Sequence, residues 1–195
     1  KLGFSFAKQA DIGNNAEIKS HQKSTYKGQW QLPWGERTNV TDHHNLLKIN
    51  VTDNNQNANI TVTFKVFNEG VGFRYTLPSQ ANFNIIDIVD EHTEFVLADE
   101  NTTAWWIPAR GWNRYEYIYQ RTPANQANHV HTPVTFKTST GIHVSIHEAA
   151  LIDYAAMTLK QQRPFTFKAD LTPWYDGTLV KKQQQFTTPW RTIQI

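Results

Sequence analysis

Residues 59–77 read "NITVTFKVFNEGVGFRYTL". Ile60, Val62, Phe64 and Val66 alternate with polar neighbours, "NEG" (68–70) interrupts, and Val71, Phe73, Tyr75 and Leu77 take up the alternation again. A side-chain period of two marks strands with one face turned to a core, and a short Gly-containing break between two such runs has the length of a hairpin connection. The same pattern continues outward in both directions. Leu47, Ile49 and Val51 alternate in "LLKINV", and Phe165, Phe167, Ala169 and Leu171 alternate in "FTFKADL". Turn-forming clusters separate the runs at "TDNNQNAN" (52–59), "STG" (139–141) and "YDG" (175–177). Short alternating strands with hairpin-length links predict an antiparallel all-β protein, a β-sandwich.

The bulk composition agrees with one such domain over residues 1–195. The chain is 39% hydrophobic and 13% aromatic, with seven Trp and eleven Phe, which is enough for a substantial core. Nineteen basic residues against 17 acidic ones give a net charge of +2, too small an imbalance to suggest a nucleic-acid partner. No apolar run approaches the ~18 residues of a membrane span. Cysteine is absent, so disulfides and thiolate zinc sites are excluded. Four Asn-x-Thr sequons, at Asn39, Asn50, Asn59 and Asn101, are no more than an Asn- and Thr-rich chain yields by chance.

One stretch poses a question of chemistry. In "GIHVSIHEAALIDYAAMTL" (141–159), Ile142, Val144 and Ile146 alternate with His143, Ser145 and His147, and the same parity places Glu148 on the apolar face. An unpaired charge there is costly. Beyond Glu148 two continuations compete. Leu151, Ala155 and Leu159 have helical spacing, whereas the strand reading runs on through Ile152 and Tyr154, turns near Ala155 and re-emerges; the β surroundings favour the strand.

Several constellations bear on catalysis. "HEAAL" (147–151) begins like H-E-x-x-H, but Leu151 stands where the second metal-binding His is required. His129 with His131, and His143 with His147, share strand faces without a third ligand, so structural or solvent-facing roles fit them better than metal binding. Glu116, Glu148 and Asp153 are candidate carboxylates for glycoside hydrolysis, but spacing pairs no two of them. No catalytic residue is therefore assigned. Trp105, Trp106, Trp112, Tyr115, Tyr117 and Tyr119 offer either core filling or sugar-stacking platforms. For Glu148 the residues alone leave two options: a carboxylate paired with an Arg or turned to solvent, or one oxygen ligand of a hard cation completed from elsewhere.

The pieces "WQLPWGERTNVTDHHNLLKI" (30–49), "FKVFNEGVGFRYTLP" (64–78), "WWIPARGWNRYEYIY" (105–119), "VSIHEAALIDYAAMTL" (144–159) and "TPWRTIQI" (188–195) together resemble the N-terminal domain of glycoside hydrolase family 97, bacterial α-glucosidases and α-galactosidases. The resemblance implies a galactose-mutarotase-like super-sandwich, here truncated at both ends, followed by a catalytic (β/α)-barrel that this chain lacks. It implies that Glu148 reaches the barrel's active site and binds Ca2+ together with barrel glutamates. It also implies an α-glucoside or malto-oligosaccharide substrate and a periplasmic location, no leader being visible in the sequence. The competing expectation is a non-catalytic carbohydrate-binding module using Trp105, Trp106 or Trp112.

Overall fold

The computed structural model describes residues 1–81, 83–112 and 114–195. Its largest sheet contains ten strands. In spatial order nine of them are β2 (Ala16–Gln31), β3 (Asn39–Asp53), β4 (Ala58–Phe67), β5 (Gly70–Leu77), β17 (Trp190–Gln194), β12 (His143–Ala149), β11 (Val134–Lys137), β8 (Thr103–Trp106) and β9 (Gln120–Pro123). The tenth, β16 (Phe186–Thr187), also pairs with β5. Two smaller sheets cover one face. The first is β1 (Phe4–Phe6), β6 (Ile85–Glu91) and β15 (Val180–Gln183); the second is β10 (His129–His131), β13 (Met157–Arg163), β14 (Thr166–Leu171) and β7 (Glu94–Val96). Every pairing is antiparallel. The expected all-β sandwich is the observed fold.

The core lies between these layers, and the alternating residues build it. Phe136 of β11 meets Phe167 of β14 at 5.2 Å between ring centroids, Phe73 of β5 faces Phe95 of β7, and Phe4 of β1 stands edge-on against Tyr75 of β5. Such aromatic pairs add to the burial of the surrounding Ile, Leu and Val side chains. The hairpin at 68–70 needs Gly70, whose φ is +149° and where a Cβ would lie 2.1 Å from the Ile193 carbonyl oxygen of β17.

One sequence expectation changes. The strand after His143 does not run through Ile152 and Tyr154: β12 ends at Ala149, residues 150–156 form an irregular loop, and β13 begins at Met157. Ala150 (φ +56°) and Asp153 (φ +49°) adopt left-handed backbone, which ends the strand and also forbids the competing helix. The last strand of the chain, "WRTIQ", is central rather than peripheral. β17 lies in the middle of the large sheet, with β12 on one side and β5 on the other. No helix among the described residues is long and apolar enough to cross a membrane.

Candidate functional site

Register decides the surroundings of Glu148. β12 and β17 pair so that Glu148 stands directly opposite Arg191, and β17 and β5 pair so that Arg191 stands opposite Phe73. Directly opposed side chains on one face are close enough for a charge pair, and a one-residue slip of either strand would turn its member of the pair to the other face. The Nη1 of Arg191 donates to Glu148 Oε2 at 2.8 Å, and the Met157 backbone N–H donates to Glu148 Oε1 at 2.9 Å. The second bond ties the far end of the 150–156 loop back onto the carboxylate. Glu148 is 8% exposed.

Arg191 is fully buried and carries a second carboxylate. Its Nε and Nη2 donate to Glu91 Oε1 and Oε2 at 2.9 and 2.6 Å, a fork-to-fork contact. Glu91 also accepts from Thr93 Oγ1 at 2.8 Å and from the Tyr154 hydroxyl at 3.1 Å. The Tyr75 hydroxyl bonds Thr93 Oγ1 at 2.8 Å, which extends the network into the core. Buried ionised groups survive only when paired and hydrogen-bonded, and this set meets that condition.

The electrostatic balance follows from burial and pairing. Burial pushes the Glu148 carboxyl above its ordinary value, and the Met157 amide and the Arg191 charge pull it back only in part. Burial also works against the Arg191 guanidinium, yet the facing Glu91 carboxylate outweighs it and holds the side chain charged. The Tyr154 and Tyr75 hydroxyls are raised by burial and then by the charge of Glu91, so both stay protonated donors. The Tyr115 phenol is raised by burial and then by the charge of Glu148.

An apolar rim flanks this end of the sandwich. Leu151 and Ile152, from the loop that Glu148 anchors, are exposed, as are Trp174 and Tyr175 from the turn before β15. Asp153, Tyr154, Thr172, Trp174 and Tyr175 line one cleft of about 540 Å³ between the loop and the turn. Tyr115 stacks on His131 at 4.0 Å.

The other sequence candidates fall elsewhere. Asp153 points outward to Lys182 and Glu116 is exposed, so neither shares the Glu148 environment. His129 bonds Asp170 Oδ2 and Thr158 Oγ1, and His131 bonds the Arg114 carbonyl; both act as structural partners. Trp106 is core, its Nε1–H donating to Thr122 Oγ1 at 3.1 Å. Trp105 lies beneath the Arg121 guanidinium, and Trp112 donates to Asp170. Tyr115, Tyr117 and Tyr119 do not form a strand face. They lie in irregular chain between β8 and β9, where the Tyr117 hydroxyl accepts from Arg114 Nε.

Sequence reasoning missed Arg191, Glu91 and Tyr154. Arg191 carried a usable signal, because it shares parity with Ile193 in "WRTIQ" as Glu148 does with Ile146. Glu91 did not. Ile86 and Ile88 point inward, and a register shift in the pairing with β1 lets Glu91 rather than Asp90 follow them.

Among the described residues no group of three or more His, Asp or Glu could hold a metal ion. Among those residues Glu148 is therefore not part of a three-ligand cluster, and any cation at it would draw further ligands from elsewhere. It fits the part of one ligand: its oxygens are hard donors, each accepts one protein hydrogen bond, and each keeps lone-pair capacity.

The family model described as "Glycosyl-hydrolase 97 N-terminal" matches residues 1–195. A glycoside hydrolase family 97 enzyme from Pseudoalteromonas sp. strain K8, solved in complex with acarbose, superimposes with a TM-score of 0.96 at 54% identity, covering 99% of this chain and 30% of that one. A β-arabinopyranosidase (TM-score 0.85, 21% identity, 99% of this chain and 33% of that one) shares the fold. So does a family 36 α-galactosidase from Geobacillus stearothermophilus solved with raffinose (TM-score 0.59, 14% identity, 99% and 29%). The chain thus spans about a third of the length of these enzymes. A match over every residue, together with the shared sandwich, means that this chain belongs to the glycosyl-hydrolase 97 N-terminal family.

Proposed function

We propose that this domain serves a calcium-dependent α-glucosidase acting on malto-oligosaccharides, in which Glu148 gives one oxygen ligand to a calcium ion completed by carboxylates of a catalytic (β/α)-barrel. One observation carries the reading. Glu148 sits near the end of β12, almost buried, and its carboxylate is held by Arg191 and the Met157 amide with lone-pair capacity to spare. A carboxylate kept at such cost in burial suits a cation that a second domain brings to it. Calcium bound there would act as a Lewis acid on the sugar or the leaving-group region.

The chain's own residues have two tasks. Glu148 is oriented by Arg191 and Met157 so that its remaining lone pairs can serve the ion. Leu151, Ile152, Trp174 and Tyr175 form an exposed apolar surface that the barrel covers, excluding water from the site. The substrate class draws support from the relative from Pseudoalteromonas sp. strain K8, solved with acarbose and, as a variant, with panose. Panose is a trisaccharide of α-linked glucose, the linkage class proposed here. The periplasmic setting belongs to the same proposal. The carbohydrate-module reading has less support, because Trp106 is core and Trp105 and Trp112 already engage Arg121 and Asp170.

Calcium titration of maltose and panose hydrolysis by the enzyme carrying this domain, with and without Glu148→Gln, tests the reading. The variant is expected to need far more calcium for activity. Identical calcium dependence in both proteins would remove Glu148 from the site.

A further inference from the structure

Glu91 and Glu148 share one guanidinium, and they share it unequally. Glu91 takes two of its donors and also accepts from Thr93 and Tyr154, four hydrogen bonds on a fully buried carboxylate. A carboxylate offers about four lone-pair sites, so Glu91 is saturated. Glu148 takes the third donor and one backbone N–H, and it alone of the two has contact with the surface. Two carboxylates around one guanidinium leave a surplus of one negative charge. With Glu91 saturated and sealed, that surplus is available to a ligand only at Glu148.

An arginine beside a cation ligand is at first sight unfavourable, because it repels the cation and competes for the oxygen. Glu91 removes the first objection. Its charge cancels that of Arg191, so an approaching cation meets Glu148 as a net carboxylate. The geometry removes the second, because Arg191 occupies only one position on Oε2.

We propose that Arg191 and Glu91 are positioning residues for a divalent cation at Glu148: Arg191 fixes the carboxylate, and Glu91 neutralises Arg191 without touching the ion. The proposal rests on the reading of Glu148 as a cation ligand. A purely structural pair would set strand register and stability but would leave cation affinity unchanged.

Calcium affinity, measured by titration calorimetry on the chelator-stripped enzyme that carries this domain, separates the two, with thermal midpoints recorded in parallel. Glu148→Gln reports on the ligand itself and is expected to lose the high-affinity site. Glu91→Gln and Arg191→Lys are each expected to weaken calcium binding by about 10–100-fold, the effect usual for partners that orient a metal ligand. Lysine keeps the charge but cannot fork onto both carboxylates. Glu91→Asp keeps the negative charge on a shorter stem, and it is expected to retain more affinity than Glu91→Gln although it lowers the thermal midpoint at least as much.

If Glu148→Gln loses calcium while Glu91→Gln or Arg191→Lys binds it within about twofold of wild type, the positioning role is overturned and the ligand reading stands. If Glu148→Gln binds calcium like wild type, both are overturned. Should Glu91→Gln fail to fold, Arg191→Lys decides by the same criterion.

Discussion

Arg191 and Glu91 lie 100 positions apart in sequence and meet as a fully buried, two-point ion pair, with Nε to Oε1 at 2.9 Å and Nη2 to Oε2 at 2.6 Å. The pair spans the two layers of the sandwich, Arg191 from the large sheet and Glu91 from the covering one. Deleting the cation leaves Glu91 and Glu148 charged, buried and uncompensated. Arg191→Met is therefore expected to destabilise the protein by about 3–5 kcal/mol, read from chemical denaturation. A loss below about 1 kcal/mol would mean that water reaches the pair.

Tyr154 bonds the same carboxylate through its hydroxyl alone. Tyr154→Phe keeps the ring and removes one hydrogen bond to a charged group, so a loss of about 1.5–3 kcal/mol is expected. A double-mutant cycle with Arg191→Met should show strong coupling, because both act on Glu91. Additive losses would place Tyr154 outside the network.

Asp153 makes the contrast. It lies five residues from Glu148 on the same segment, but its side chain is 88% exposed and pairs with Lys182 at the surface. Its left-handed backbone is one that Asn also tolerates. Asp153→Asn should change stability by no more than about 0.5 kcal/mol. A larger loss in thermal or chemical unfolding would show that the loop depends on this charge.

Acid sensitivity should centre in part on Asp170. Burial raises its carboxyl, but the bond and charge of His129, aided by the Trp112 indole and Lys160, more than offset that and leave it lowered. A lowered folded value means stability that is present above the unfolded value of about 3.9 and is lost as pH falls through the folded one. Asp170→Asn should therefore flatten the stability profile below about pH 4, measured by denaturation at a series of pH values. An unchanged acid limb would assign that limb to other carboxylates.

Gly70 ties the hairpin to the site. An Ala there meets both a φ of +149° and the Ile193 carbonyl at 2.1 Å, on the strand that carries Arg191. Gly70→Ala is expected to cost at least about 1 kcal/mol and to loosen the β5–β17 pairing, seen as faster amide exchange at Phe73 and Arg191. Protection equal to wild type would show that the backbone absorbs the methyl elsewhere.

Local pattern and folded structure contribute differently here. The alternation in 59–77, 47–51 and 165–171 and the turn clusters between them determine an antiparallel sandwich, because a period of two buries one face wherever a second layer exists. The parity of Ile142, Val144 and Ile146 likewise determines that Glu148 points inward. Tertiary structure decides what it finds there. Arg191 reaches it only through the central position of β17, and Glu91 only through the shifted register between β1 and β6. The left-handed turns at Ala150 and Asp153, which no glycine announces, bring Tyr154 to Glu91 and Met157 to Glu148. The period of a strand is written in adjacent residues, whereas the partner of a buried charge depends on strand order and register, which are fixed only when distant segments pack together.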